Sequence, residues 1–229
     1  MNRLVSARSV LAMTLVCGLF AGAAGAQQQE KPAKEKPAAK QPEKDAKASK
    51  MAKQEDLVGK PAPDFKLVDT DGVEHVLADY TKQGKVVVLE WFNPGCPYVK
   101  LHYETHTTMK DTAKKYEGKE VVWLAVATGA TADRDSLAQA RTDWEIAYPV
   151  LLDAEGEAGR AYGSKNTPTM YVIDKEGNVA YAGAIDNDPQ DSKTDDVNYV
   201  EKAVDALLAG SLVETGYAKA YGCSVKYKG

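Results

Sequence analysis

Lys85-Val86-Val87-Val88-Leu89-Glu90-Trp91-Phe92-Asn93-Pro94-Gly95-Cys96-Pro97-Tyr98-Val99 changes its periodicity partway along. Lys85 to Leu89 is a β-branched, apolar run bounded by Gly84, the pattern of a strand buried on both faces. Further on, Val99, Tyr103, His106, Met109 and Ala113 recur at helical spacing and predict a helix starting near Pro97. Proline suits a first helical turn, where an N–H has no intrahelical partner to lose. Asn93, Pro94 and Gly95 supply the sharp turn between the two elements.

This reading puts Cys96 at a helix N-terminus, on the carboxyl-end edge of a central strand. Unpaired N–H groups and the helix dipole there favour an anion and lower the pKa of a thiol. The thiolate is the nucleophilic form. Against this stands the ordinary fate of a free cysteine, a small buried hydrophobe. Pro97 directly after it, and Cys223 near the C-terminus, favour the reactive reading.

The segment resembles the active-site stretch of the thioredoxin superfamily, in the redoxin branch that includes peroxiredoxins and periplasmic thioredoxin-like proteins. Cys96-Pro97-Tyr98-Val99 lies where such proteins carry Cys-x-x-Cys, so Cys96 matches the nucleophile and Val99 replaces the second cysteine. Glu90 matches the buried acid that moves protons during exchange, and Gly95 stands where a Trp usually precedes the nucleophile. A peroxidatic Pro-x-x-x-Thr-x-x-Cys would need Pro at Leu89 and Thr at Asn93, so the resemblance is to the peroxiredoxin-like subgroup with one cysteine at the first position. It implies an α/β thioredoxin-like fold, with a central mixed, mostly parallel sheet flanked by helices. It also implies a thiol oxidoreductase without a cofactor, acting on a protein disulfide or a peroxide and served by a thiol reductant protein.

The chain of 229 residues has room for one or two domains, and its first residues account for the surplus. Arg3 and Arg8, an apolar stretch from Val10 to Ala21 and Ala24-Gly25-Ala26 read as a cleavable signal peptide over residues 1–26. Export to the periplasm or beyond follows, and Cys17 leaves with the leader. Residues 27–54 are a Lys/Glu/Ala/Pro-rich tether too poor in apolar side chains to fold, and the only part suited to touch a membrane surface. The redoxin domain takes residues 55–229. The net charge of −4, with no nucleic-acid motif, no glycine-rich phosphate loop and no Ser/His/Asp set, offers no competing chemistry.

Within the domain, Asp71-Gly72 marks a hairpin between Phe65–Asp69 and Val73–Leu77, and Leu77 to Tyr80 a helical turn. Strands are expected over 120–126, 148–152, 170–174 and 179–184, with helices over 133–146, 156–162 and 197–208. The alternation is that of an α/β sheet. Thr167-Pro168-Thr169 before a strand resembles the cis-proline loop that faces the nucleophile in thioredoxin folds. That resemblance makes Pro168 a site residue and gives Pro97, Tyr98 and Thr167 to the substrate groove. The acidic loop Asp186 to Asp196 lacks EF-hand spacing.

Removal of the leader leaves Cys96 and Cys223, and an oxidising compartment favours their pairing. Three readings stay open for Cys223: a resolving thiol for Cys96, a permanent staple, or an unpaired tail thiol. The first accounts for Val99, because the resolving sulfur has then moved to the C-terminus. His102 and His106 have metal-ligand spacing on the Cys96 helix, but about 15 Å of helix separates Cys96 from His106, so no metal site is assigned. Thiol–disulfide exchange, peroxide reduction and a non-catalytic metal-binding or scaffold role are the three functions to be weighed.

Overall fold

The computed structural model describes residues 51–190 and 197–228. The expected leader, the tether up to residue 50 and positions 191–196 of the acidic loop lie outside them. The structured chain includes residues that the sequence assigned to the tether. The Ala52 N–H donates to the Arg160 carbonyl and Gln54 is buried.

A mixed sheet of eight strands forms the centre. Its strands are β1 (Lys66–Asp69), β2 (Glu74–Val76), β3 (Val86–Trp91), β4 (Val121–Thr128), β5 (Val150–Asp153), β7 (Thr169–Ile173), β8 (Val179–Gly183) and β9 (Tyr217–Ala218). They lie in the order β2-β1-β5-β4-β3-β7-β8-β9. The core β5-β4-β3 is parallel, while β7 and β8 return antiparallel beside β3. The hairpin β1–β2 pairs in the register that Asp71-Gly72 implies, with Val68 opposite Glu74 and Gly72 at φ 86°. A second, two-stranded ladder joins β6 (Asn166–Thr167) to β10 (Cys223–Ser224).

Every residue of β3 is buried, as its unbroken apolar run requires of a strand covered on both faces. One face carries Val86, Val88 and Phe92 against α4 (Arg134–Asp143) and α6 (Tyr199–Leu208), through Leu137, Ala140, Val200 and Val204. The other carries Val87, Leu89 and Trp91 against α1 (Leu77–Lys82) and α5 (Glu157–Tyr162), through Leu77, Ala158 and Tyr162. Asp133 and Asn198 cap α4 and α6 by accepting from the Ser136 and Glu201 N–H groups.

The helix expected to run on from Pro97 is broken into three pieces. These are α2 (Pro97–Lys100), a π-turn over Leu101–Thr105 and α3 (Thr108–Lys115), with Thr107 in left-handed backbone at φ 53°. The apolar spacing still holds, since Val99, Tyr103 and Met109 are all buried. The extra residue of the π-turn sets each piece against the sheet without preserving one helical phase. Of the two histidines with metal-ligand spacing, His102 falls inside the π-turn and His106 caps it. His102 is buried against the Tyr221 hydroxyl, 2.9 Å from its Nε2, and His106 closes the π-turn through its N–H to the Leu101 carbonyl.

Candidate active site

Strand β3 delivers Glu90 and then, through the Asn93-Pro94-Gly95 turn, Cys96 at the cap position of α2. The Gly95 N–H donates to Asn93 Oδ1 at 2.9 Å and the Cys96 N–H to the Asn93 carbonyl at 3.0 Å, which locks the turn. Pro97 is the first helical residue, as its ring favours. The peptide bond between Thr167 and Pro168 is cis, and the Thr167 carbonyl accepts from Cys96 Sγ at 3.0 Å. The turn after β3 and the loop before β7 thus meet at one sulfur.

The tail completes the arrangement. Cys223 lies opposite Thr167 in the β6–β10 ladder, so the two cysteines, 127 residues apart in sequence, come side by side. Both are free thiols. Burial alone would raise the Cys96 thiol. It is outweighed by contacts from the Cys223 and Thr167 side chains and by the Val99 and Cys223 N–H groups, and Cys96 ends below the ordinary thiol value. Cys223 moves the other way, raised by burial and by the sulfur of Cys96, although the Tyr98 N–H opposes the rise. Of the two thiols, Cys96 is therefore the more acidic and Cys223 the less. With only four residues in α2, the lowering rests on these individual groups more than on a macrodipole.

Glu90 is fully buried beneath this turn. Tyr103 donates to its Oε1 at 2.7 Å, while Tyr148 and Trp123 Nε1 reach its Oε2 at 3.0 and 3.1 Å. The two tyrosine oxygens are also 2.6 Å apart. Two hydroxyl protons cannot fill the three O···O contacts among these groups, so the cluster favours the protonated form of Glu90, whose proton supplies the one that is missing. Burial accordingly pushes the carboxyl up to about 7, against the lowering effect of its three donors. Trp123 and Tyr148 also form part of the wall of a cavity of about 590 Å³, lined on its other side by Lys110 and Lys114. Neither Cys96 nor Cys223 lines it.

Cys96, Cys223 and Thr167 are thus brought together, with Pro168 next to Thr167 in the chain. Tyr98 is exposed beside them, its ring 6.0 Å from that of Tyr221. Thr167, given by the resemblance to the substrate groove, is paired with the chain's own tail. The sequence reading missed Tyr103, Trp123 and Tyr148 as partners of Glu90, since aromatic residues at such separations carry no local signal. It also missed Tyr221, whose hydroxyl donates to Asp186 Oδ1 at 2.6 Å and meets His102.

The AhpC/TSA family model matches residues 58–182. The thiol-disulfide oxidoreductase ResA of Geobacillus thermodenitrificans is 32% identical over 122 residues, covering 53% of this chain and 66% of the relative, a little under two thirds of its length. A hypothetical protein from Sinorhizobium meliloti superposes with a TM-score of 0.67 at 27% identity, over 75% of this chain and 94% of that one. A thioredoxin candidate from Neisseria meningitidis does so with a TM-score of 0.52 at 28% identity, over 66% of this chain and 91% of that one. With the strand, cysteine turn and proline loop assembled as described, the chain belongs to the AhpC/TSA family, a redoxin family of the thioredoxin superfamily.

Proposed function

We propose that the chain is an exported thiol–disulfide oxidoreductase in which Cys96 attacks and Cys223 resolves. The observation that carries this reading is the meeting of two free cysteines at one loop, Cys96 Sγ on the Thr167 carbonyl and Cys223 opposite Thr167 in the β6–β10 ladder, with the Cys96 thiol lowered and that of Cys223 raised. The ResA relative supports the same reaction class. Export rests on the basic and apolar leader with its Ala-x-Ala site.

In the forward direction the Cys96 thiolate attacks one sulfur of a substrate disulfide. The substrate S–S bond breaks, a mixed disulfide forms on Cys96, and the other substrate sulfur leaves as a thiolate. Cys223 then loses its proton and attacks the Cys96 sulfur, which expels the second substrate thiolate. Two electrons have passed to the substrate, and the Cys96–Cys223 disulfide awaits a dithiol reductant protein. Each departing thiolate takes up a proton, and each attacking thiol gives one up. Glu90, near neutrality, is the acid suited to this traffic, with the Thr167-Pro168 loop shaping the face a substrate meets.

Dithiothreitol-driven reduction of insulin, followed by non-reducing peptide mass mapping, tests this. Activity is expected to vanish in Cys96→Ser. In Cys223→Ser a mixed disulfide on Cys96 should accumulate. Turnover of hydrogen peroxide without any insulin reduction would assign the peroxidase function instead.

A further inference from the structure

Cys96 is only 1% exposed, seated at the margin of the core cluster with the end of the chain packed against it through Cys223. Residues 221–228 cross the carboxyl edge of the sheet. Cys223 pairs with Thr167, and the Gly222 carbonyl accepts from Asn166 Nδ2 at 3.1 Å. The Val225 N–H donates to the Lys165 carbonyl at 2.9 Å, and the Lys226 carbonyl accepts from the Ala130 N–H at 2.8 Å. The Tyr227 hydroxyl donates to the Ser164 carbonyl at 2.6 Å, while the Arg160 guanidinium lies 5.0 Å from the Tyr227 ring centre and donates to the Lys228 carbonyl at 3.2 Å. Side chains alternate along this stretch, with Cys223, Val225 and Tyr227 half-buried and Ser224, Lys226 and Lys228 exposed.

The surface beneath is cut to receive it. A Cβ on Gly129 would lie 2.2 Å from the Lys226 carbonyl oxygen. Gly159 has ordinary helical backbone inside α5, where glycine costs about 1 kcal/mol relative to alanine. Its absent side chain leaves room for the Tyr227 hydroxyl, which a Cβ would meet at 2.7 Å, and for Thr128. Gly156, at φ 72°, lies under the same ring. The cover itself is only half-buried, yet Cys96, Ser164 and Thr167 under it are at 3% exposure or less. A segment with few buried apolar contacts, held by edge hydrogen bonds, opens at much lower free energy than the core it lies on.

We infer that residues 221–228 form a strap that governs which molecules reach Cys96, and that Tyr227, seated on Gly156 and Gly159, is the positioning residue that holds it closed. The inference rests on the exchange reading for its biological meaning, because a partner's sulfur must then displace the strap to meet Cys96. Closed, the strap presents Cys223 at a high effective concentration. Lifted, it uncovers the Cys96 sulfur.

Alkylation of the fully reduced, full-length protein, followed at Cys96 and Cys223 separately by peptide mass, tests the strap. Tyr227→Ala is expected to speed Cys96 alkylation by about tenfold and to weaken the Cys96–Cys223 disulfide against glutathione by a similar factor, as a loss of effective concentration demands. Tyr227→Phe, which keeps the ring, should stay near the parent, and thermal unfolding should change little in either. A Cys96 rate in Tyr227→Ala no different from the parent overturns the strap. Faster alkylation with no Cys96–Cys223 disulfide at any glutathione ratio supports the strap and overturns the exchange reading alone.

Discussion

Glu90 keeps its proton to a higher pH than an exposed carboxylate would, and this ties the stability of the fold to pH. Its carboxyl rises from 4.5 to about 7 on burial. Below 4.5 the folded and unfolded chains both bind the proton, and the contribution is at its full value. Between 4.5 and about 7 only the folded chain keeps it, so stability falls as pH rises, by about 3 kcal/mol across the window. Glu90→Gln should flatten that slope, as measured by urea unfolding across the same range. The two sulfurs give a second residue-scale expectation. Because Cys96 is held below the ordinary thiol value and Cys223 above it, the pH profile of alkylation at Cys96 should have its midpoint well below that at Cys223. Equal midpoints would mean that the sharing of charge is absent. Glu90 was singled out only through the family resemblance, by its place ahead of Cys96. Its partners were not, because Tyr103, Trp123 and Tyr148 come from three separate elements that only the sheet brings to one carboxyl group.

Element by element, strands were the more legible part. Lys85–Leu89 and Glu120–Val126 are short, β-branched and apolar almost throughout, which suits a strand buried on both faces and leaves no polar stripe for a surface helix. The cis bond before Pro168 was expected only through family resemblance, since an isolated X-Pro rarely adopts it. Helix continuity was harder to read. Apolar spacing between Val99 and Ala113 does not reveal a π-turn, which keeps the same residues inward while inserting one more. The interruption leaves its mark at Thr107, a β-branched residue in left-handed backbone. Thr107→Asn, which tolerates that backbone and can cap α3, should raise stability by about 1 kcal/mol, read as a higher midpoint in urea. A fall in the midpoint would show that the bond from Thr107 Oγ1 to Asp111, 2.6 Å long, outweighs the strain. The tail was the least legible element of all. Short ladders such as β6–β10 have no periodicity of their own, and the glycines that accommodate them lie far away in sequence.

Across the whole molecule, a bond between Cys96 and Cys223 would close a loop of 127 residues. Chain entropy predicts that such a closure stabilises the oxidised form over the reduced one by up to about 5 kcal/mol, to be read as the difference between their denaturation curves. A difference near zero would mean that oxidation strains the native tail by as much as it restricts the unfolded chain. The same separation matters during synthesis. At about 5–20 residues per second, Cys96 is made roughly 6–25 s before its partner. Every nascent copy therefore passes through an interval in which Cys96 has neither Cys223 nor the tail beside it. Whether a newborn chain is captured by a foreign disulfide in that interval depends on when its last few residues arrive, and not on how stable the finished protein is.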